Sequence, residues 1–274
     1  MSIKIDKSKL NELKFDREIF GSWVNNLEDL SLKFKTAKPF ENIVIDNFLN
    51  LDFIRKVEEE FPDNYNDWYK YDNPLEKKYA FDNISQLRPN LQSIFYLLSK
   101  PEVLALFKKI SGINNLEYDD YLHGAGIHAH PKDGKLAIHL DYEKHPFSGK
   151  ERRLNLILYL NREWKDEWNG GTELWNEEVT RCITKSNIKF NSCLIFRTND
   201  ISWHGLPEPI NCPNGVFRKT LAYYYVSPLE SKKNDGEYRK KATYTLRPQD
   251  ENSEYLQRLI KIRSERRLEE EDLL

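Results

Sequence analysis

The chain reads as mainly β with flanking helices, an α+β fold whose core is a sandwich or jelly roll. Three observations predict this. From Leu116 to about residue 228, short alternating runs follow one another, broken by Gly, Asn, Asp and Pro, with little helix between them. Upstream, the stretches 51–61 and 89–111 carry apolar residues at helical spacing. The length, 274 residues, suits one large domain with terminal additions.

The first segment, 1–38, is charged and weakly patterned, and reads as an N-terminal arm. A strand over 41–49 follows, then a helix with Leu51, Ile54, Val57 and Phe61 on one face, stopped by Pro62. Residues 64–81 mix Tyr65, Trp68, Tyr69, Tyr71, Tyr79 and Phe81 with charges and read as an aromatic loop. Helices over 89–99 and 101–111 complete a strand-helix support region, 39–115, and Pro101 suits a first helical turn. The strand-rich domain, 116–228, has β-like runs at 117–123, 126–130, 135–141, 153–161, 172–175, 192–197, 201–205 and 217–226. A C-terminal extension, 229–274, carries Tyr255, Leu256, Leu259, Ile260 and Ile262 among charges, the pattern of an amphipathic helix that docks or pairs.

Charged residues are 31% of the chain and nearly cancel, at a net charge of -2, so nothing global points to nucleic acid or an anionic membrane. No apolar run approaches the roughly 20 residues of a membrane span, and the first residues lack a signal-peptide core. A soluble, cytoplasmic protein is expected. The three cysteines, Cys182, Cys193 and Cys212, form no CxxC pair and read as reduced and structural.

The chemistry lies in the second half. Period-two alternation over 135–141 puts His139 and Asp141 on one strand face, where both can reach one metal. His204, in Ser202-Trp203-His204-Gly205, could complete two imidazoles and one carboxylate, a set that leaves open positions on non-haem Fe(II). Taken alone, an HxD triplet reads as readily as an Asp that orients a His or caps a turn. Arg218 and Thr220 share a face of the run 217–226, so guanidinium and hydroxyl can converge on the carboxylate of a dicarboxylic co-substrate, and Lys219 faces away. An isolated Arg would instead suggest a surface salt bridge.

Five stretches in order carry a resemblance. They are His139-Leu140-Asp141, the run Arg152 to Asn161, Gly170-Gly171-Thr172-Glu173-Leu174-Trp175, Ser202-Trp203-His204-Gly205 and Arg218-Lys219-Thr220. Through them residues 116–228 resemble the iron- and 2-oxoglutarate-dependent dioxygenases of the prolyl 4-hydroxylase-like branch. The resemblance implies a double-stranded β-helix (jelly-roll, cupin-like) core, with His139, Asp141 and His204 as catalytic Fe(II) ligands. It implies Arg218, helped by Thr220, at the distal carboxylate of 2-oxoglutarate, with Asn155 either a further polar group near that co-substrate or the donor of a purely structural hydrogen bond. O2 would be the second co-substrate and ascorbate a reductant. The family default is hydroxylation of a peptidyl proline; a small metabolite is the other substrate class. Collagen-type members usually carry Lys at the position of Arg218, which turns expectation away from collagen-like substrates.

Other residues have plainer readings. His128 and His130 share a face and could form a second metal site, but read better as pocket-lining or solvent-facing. His145, in the loop 142–152, reads as part of a substrate lid. Gly170-Gly171 is a turn into a strand, and Tyr223–Tyr225 alternate between core and surface. Rival functions are a cupin-like metal-binding or sensing module without turnover, and a zinc hydrolase, which fits the ligand count but leaves Arg218 unexplained. The tail helix offers a homodimer contact.

Overall fold

A computed structural model describes residues 5–12, 14–230 and 233–274. Its strands are β1 (Asn42–Ile45), β2 (Tyr69–Asp72), β3 (Glu76–Phe81), β4 (Glu117–Tyr118), β5 (Gly126–His130), β6 (Lys135–Leu140), β7 (Glu151–Tyr159), β8 (Glu173–Trp175), β9 (Cys182–Lys185), β10 (Cys193–Arg197), β11 (His204–Leu206), β12 (Arg218–Ser227) and β13 (Thr243–Tyr244). The helices are α1 (Lys7–Glu12), α2 (Leu27–Thr36), α3 (Leu51–Glu59), α4 (Pro89–Leu98), α5 (Pro101–Ser111) and α6 (Glu254–Glu265).

All ladders are antiparallel along the path β1-β10-β7-β12-β5-β3-β6-β11-β8-β9, with β13 added to β6. This is the jelly-roll core that the strand-rich segment predicted. The path folds over so that side chains of the β6-β11-β8 side meet those of β7 and β12. Asn155 Nδ2 donates to Asp141 Oδ2 at 2.7 Å, and the Tyr159 hydroxyl lies 2.9 Å from that of Thr172. The cavity of the site lies between.

β12 shows how the alternation builds both layers. Arg218, Thr220, Ala222 and Tyr224 line the cavity, while Tyr223 and Tyr225 point at the helices. Tyr225 donates to the Leu98 carbonyl at 2.8 Å and packs its ring 5.1 Å from Phe107, and the Tyr223 hydroxyl lies 2.6 Å from Ser99 Oγ. All three tyrosines are buried, so none is the surface residue expected. Proline opens α4 and α5 at their first turns, and Gly112, at φ 74°, closes α5 in the left-handed conformation.

Two segments differ from expectation. The N-terminal segment is no loose arm: Phe20, Trp23 and Phe34 are buried in the main core, and Trp23 stacks on Phe48 at 5.4 Å with planes 6° apart. A few large apolar side chains anchor it despite the many charges around them. The aromatic stretch 64–81 contains the β2–β3 hairpin, and β3 pairs with both β5 and β6. Ladder bonds to two neighbours hold a strand whose own apolar-polar alternation is poor.

Helix α6 docks on its own chain. Leu259 is fully buried in a cluster with Leu75 and Tyr244, and Arg263 Nε donates to Glu76 Oε1 at 2.8 Å. The face offered as a dimer contact is thus spent within the chain. No described helix is long and apolar enough to cross a membrane.

Candidate metal and co-substrate site

The pairing of β6 with β11 sets His139 opposite His204, and Asp141 follows directly from the end of β6. One ligand atom from each of His139, Asp141 and His204 lies within 4.8 Å of the other two; they are the one such metal-capable group among the described residues. His139 Nε2 is 3.8 Å from Asp141 Oδ1, and His204 Nε2 is 3.4 Å from Oδ2. Metal bonds of about 2.1 Å would put adjacent donors about 3 Å apart, so small side-chain shifts suffice.

Backbone carbonyls set the tautomers. Nδ1 of His139 lies 2.9 Å from the Ala137 carbonyl and Nδ1 of His204 lies 2.8 Å from that of Ser202. Both rings therefore carry their proton on Nδ1 and turn an Nε2 lone pair toward Asp141. Burial lowers both imidazole pKa values, that of His139 to about 3, with the neighbouring imidazole adding to the shift at His139. Burial alone would raise Asp141, but Arg152, His204, His139 and the Asn155 amide hold its carboxyl well below the usual range. Two lone pairs and a carboxylate converge, and that donor set fits a cation.

Arg152 and Asn155 brace the carboxylate. Arg152 reaches Asp141 Oδ2 at 3.2 Å, donates to Asn155 Oδ1 at 2.6 and 3.0 Å, and lies 3.3 Å from the centre of the Tyr224 ring. Asn155, expected near the co-substrate, is thus engaged with Asp141 and Arg152. It lies four positions along β7 from Tyr159, the partner of Thr220, about 13 Å of strand.

Arg218 is buried, yet its partners are neutral. Nε donates to the Gly170 carbonyl at 2.7 Å and Nη2 to Thr172 Oγ1 at 3.2 Å, and the guanidinium lies 5.2 Å from the Tyr159 ring centre. Gly170 takes φ 96°, a conformation strained for any residue with a Cβ, which here would also press on the tip of the Ile188 side chain at 2.8 Å. Among the described residues Arg218 has no carboxylate partner, and burial lowers its pKa. A buried unpaired guanidinium is costly unless an anion joins it. Beside it, His130 Nε2 is buried without a hydrogen-bond partner. These two groups fit the far end of a dicarboxylate.

Thr220 and His128 face each other across β12 and β5 and line the same cavity. Among the described residues, His128 and His130 belong to no second metal group. His145, read as part of a lid, is buried, with Nε2 3.1 Å from Asp119 and Nδ1 accepting the backbone N–H groups of Phe147 and Ser148. Reading the sequence missed the bracing role of Arg152, the contacts of Thr172, and Lys78 and Tyr244 in the cavity wall. The pairing of Thr172 with Arg218 had a signal in Gly170-Gly171; the others depend on long-range contacts.

The jelly roll thus brings a metal-capable His-Asp-His cluster and a buried arginine, a group suited to an organic acid, to one cavity. Residues 125–227 match the family model described as the 2OG-Fe(II) oxygenase superfamily. The fold is similar to that of a prolyl hydroxylase from Trichoplax adhaerens, solved in complex with a hypoxia inducible factor oxygen degradation domain peptide fragment. That likeness has 17% identity over 77% of this chain and 96% of that one, with a TM-score of 0.56. A Pseudomonas putida prolyl-4-hydroxylase is similar at 14% identity over 74% of this chain and all (100%) of that one, with a TM-score of 0.53. No curated protein matches in sequence. The family match takes in His139, Asp141, His204 and Arg218, so the metal-capable cluster and the buried arginine lie within the segment that is similar to this superfamily.

Proposed function

We propose that the protein hydroxylates an unactivated C–H bond of a peptidyl proline or a small metabolite. In this reading His139, Asp141 and His204 hold Fe(II), and Arg218, aided by Thr220, holds the distal carboxylate of 2-oxoglutarate. The single observation that carries it is the buried, unpaired Arg218 in one cavity with the three converging ligand atoms. Residues 116–228 form the catalytic unit, supported by 39–115 and the extension 229–274.

When bound, iron and 2-oxoglutarate supply the oxidation: the keto acid leaves as succinate and CO2, and one oxygen atom of O2 goes to the substrate carbon. The chain supplies geometry. His139 and His204 bind through Nε2 because their Nδ1 protons are tied to the backbone. Arg152 and Asn155 fix the Asp141 carboxylate and keep it ionised. Arg218 sets the position of the co-substrate by a paired guanidinium-carboxylate contact, and the Tyr159 ring and the Gly170 turn hold that guanidinium in place. The walls shield the reacting carbon from bulk water.

The test is anaerobic visible absorption of metal-free protein titrated with Fe(II) and then 2-oxoglutarate. A charge-transfer band that needs both additions and vanishes in His139→Ala supports the reading. A folded, metal-bound wild type without a band contradicts it.

A further inference from the structure

One wall of the cavity comes from segments outside the family match, namely the β2–β3 hairpin and the stretch from Lys240 to Arg267. Here β13 sets Tyr244 opposite His139, and the tyrosine ring stacks on that imidazole at 5.2 Å with planes 24° apart. Tyr69 and Tyr71 meet edge to face at 4.5 Å, and the Arg267 guanidinium lies 4.3 and 5.8 Å from their ring centres. Lys78 Nζ is 5.0 Å from the Tyr71 ring centre.

The charges of this wall do not balance. Glu76 serves two cations: Arg263 hydrogen-bonds to it at 2.8 Å, while Lys78 stands off at 3.8 Å. The Lys78 side chain is only 12% exposed, and among the described residues its ammonium has no hydrogen-bond acceptor. Arg267, which is exposed, has no carboxylate partner among them either. Of the other acids lining the cavity, Asp141 is held by Arg152 and Asn155, and Asp82, which follows the end of β3, lies beside Gly126. An ammonium left without an acceptor in a low-dielectric site attracts an anion strongly.

The geometry points to a substrate that is a small organic anion. Its carboxylate or phosphate sits between Lys78 and Arg267, its carbon skeleton lies against Tyr71 and Tyr244, and a C–H bond is presented beside His139. The cavity, about 330 Å³, is at the small end for ligand sites and must also take 2-oxoglutarate, which favours a small molecule. This inference rests on the oxygenase reading and names its substrate class.

The experiment is anaerobic calorimetry on protein loaded with Fe(II) and 2-oxoglutarate, after its charge-transfer band has been recorded. The probes are phenyl phosphate and phenylacetate, with phenol and phenylacetamide as neutral counterparts. At least one anion is expected to bind about tenfold more tightly than its neutral counterpart, and the one that does names the acid group. Lys78→Gln and Arg267→Gln should each weaken that anion about tenfold while the band and its 2-oxoglutarate requirement persist. Equal binding of anion and neutral probe overturns the inference while leaving the oxygenase reading intact. So does a Lys78→Gln variant that changes only the 2-oxoglutarate requirement, because Lys78 would then serve the co-substrate. A wild type with no band overturns the oxygenase reading itself.

Discussion

Replacing Arg218 with methionine separates a binding role from a structural one, because the two push stability in opposite directions. In the wild type the guanidinium is buried, and its partners among the described residues are a carbonyl, a hydroxyl, an imidazole and the Tyr159 ring. Removing one partner of a buried charge pair costs about 3–5 kcal/mol. If the distal carboxylate of 2-oxoglutarate is that partner, its dissociation constant should rise by between about one hundred and a few thousand-fold. The same change removes an unpaired buried charge from the ligand-free protein, so its melting temperature should hold or rise. Calorimetric titration of 2-oxoglutarate into Fe(II)-loaded protein reads the first quantity, thermal melting of the ligand-free form the second, and Fe(II) affinity is the control. An unchanged 2-oxoglutarate affinity, or a collapse of iron binding with normal 2-oxoglutarate dependence, would refute the reasoning.

Asn155→Ala should weaken Fe(II) binding about 10–100-fold, read by competition with a chelator, because it removes the amide that orients Asp141; unchanged affinity would reduce that contact to packing. Asp141→Ala should abolish both iron retention and turnover, and normal product formation would rule out its role. Leu259→Ala should cost about 2–5 kcal/mol of docking and expose the C-terminal extension to limited proteolysis, since Leu259 is fully buried beside Tyr244 and Leu75; wild-type protease resistance would contradict this. Burial depresses the pKa values of His128, His130, His139 and His204, while the unfolded imidazoles take up protons near 6.5. Below that pH the unfolded chain binds more protons, so this stabilisation is complete above about 6.5 and is lost as pH falls toward about 3 for His139. The melting temperature of metal-free protein should drop between pH 7.5 and 5, and a flat profile would contradict the burial of neutral imidazoles.

What the sequence revealed followed strand geometry. Period-two alternation assigns His139 with Asp141, and Arg218 with Thr220, to shared faces without tertiary knowledge, and the structure brings all four, with His204, to one cavity. What it hid depended on distant partners. Asn155 sits on the expected face of β7, but only the fold-over of the sheet shows that it meets Asp141. The β2–β3 hairpin was unreadable because Tyr69, Tyr71 and Lys78 line the cavity while Tyr79 packs on Tyr65 and Phe217, so aromatic and charged residues serve both faces and no apolar-polar alternation results. Phe34 was masked by the lysines on either side and Trp23 sits in a short run without a clear period, although each is buried. The two residues of β13 are too few for any periodicity, yet they set Tyr244 against His139.

The central claim is that this cavity couples 2-oxoglutarate and O2 through a metal held by His139, Asp141 and His204. The most direct measurement is the stoichiometry of O2 consumed and succinate formed by purified protein given Fe(II) and 2-oxoglutarate, beside His139→Ala. The account predicts succinate and O2 in equal amounts, dependent on added Fe(II) and absent from the variant. Folded, iron-loaded wild type that forms no succinate, or a His139→Ala variant that forms it at the wild-type rate, would contradict it.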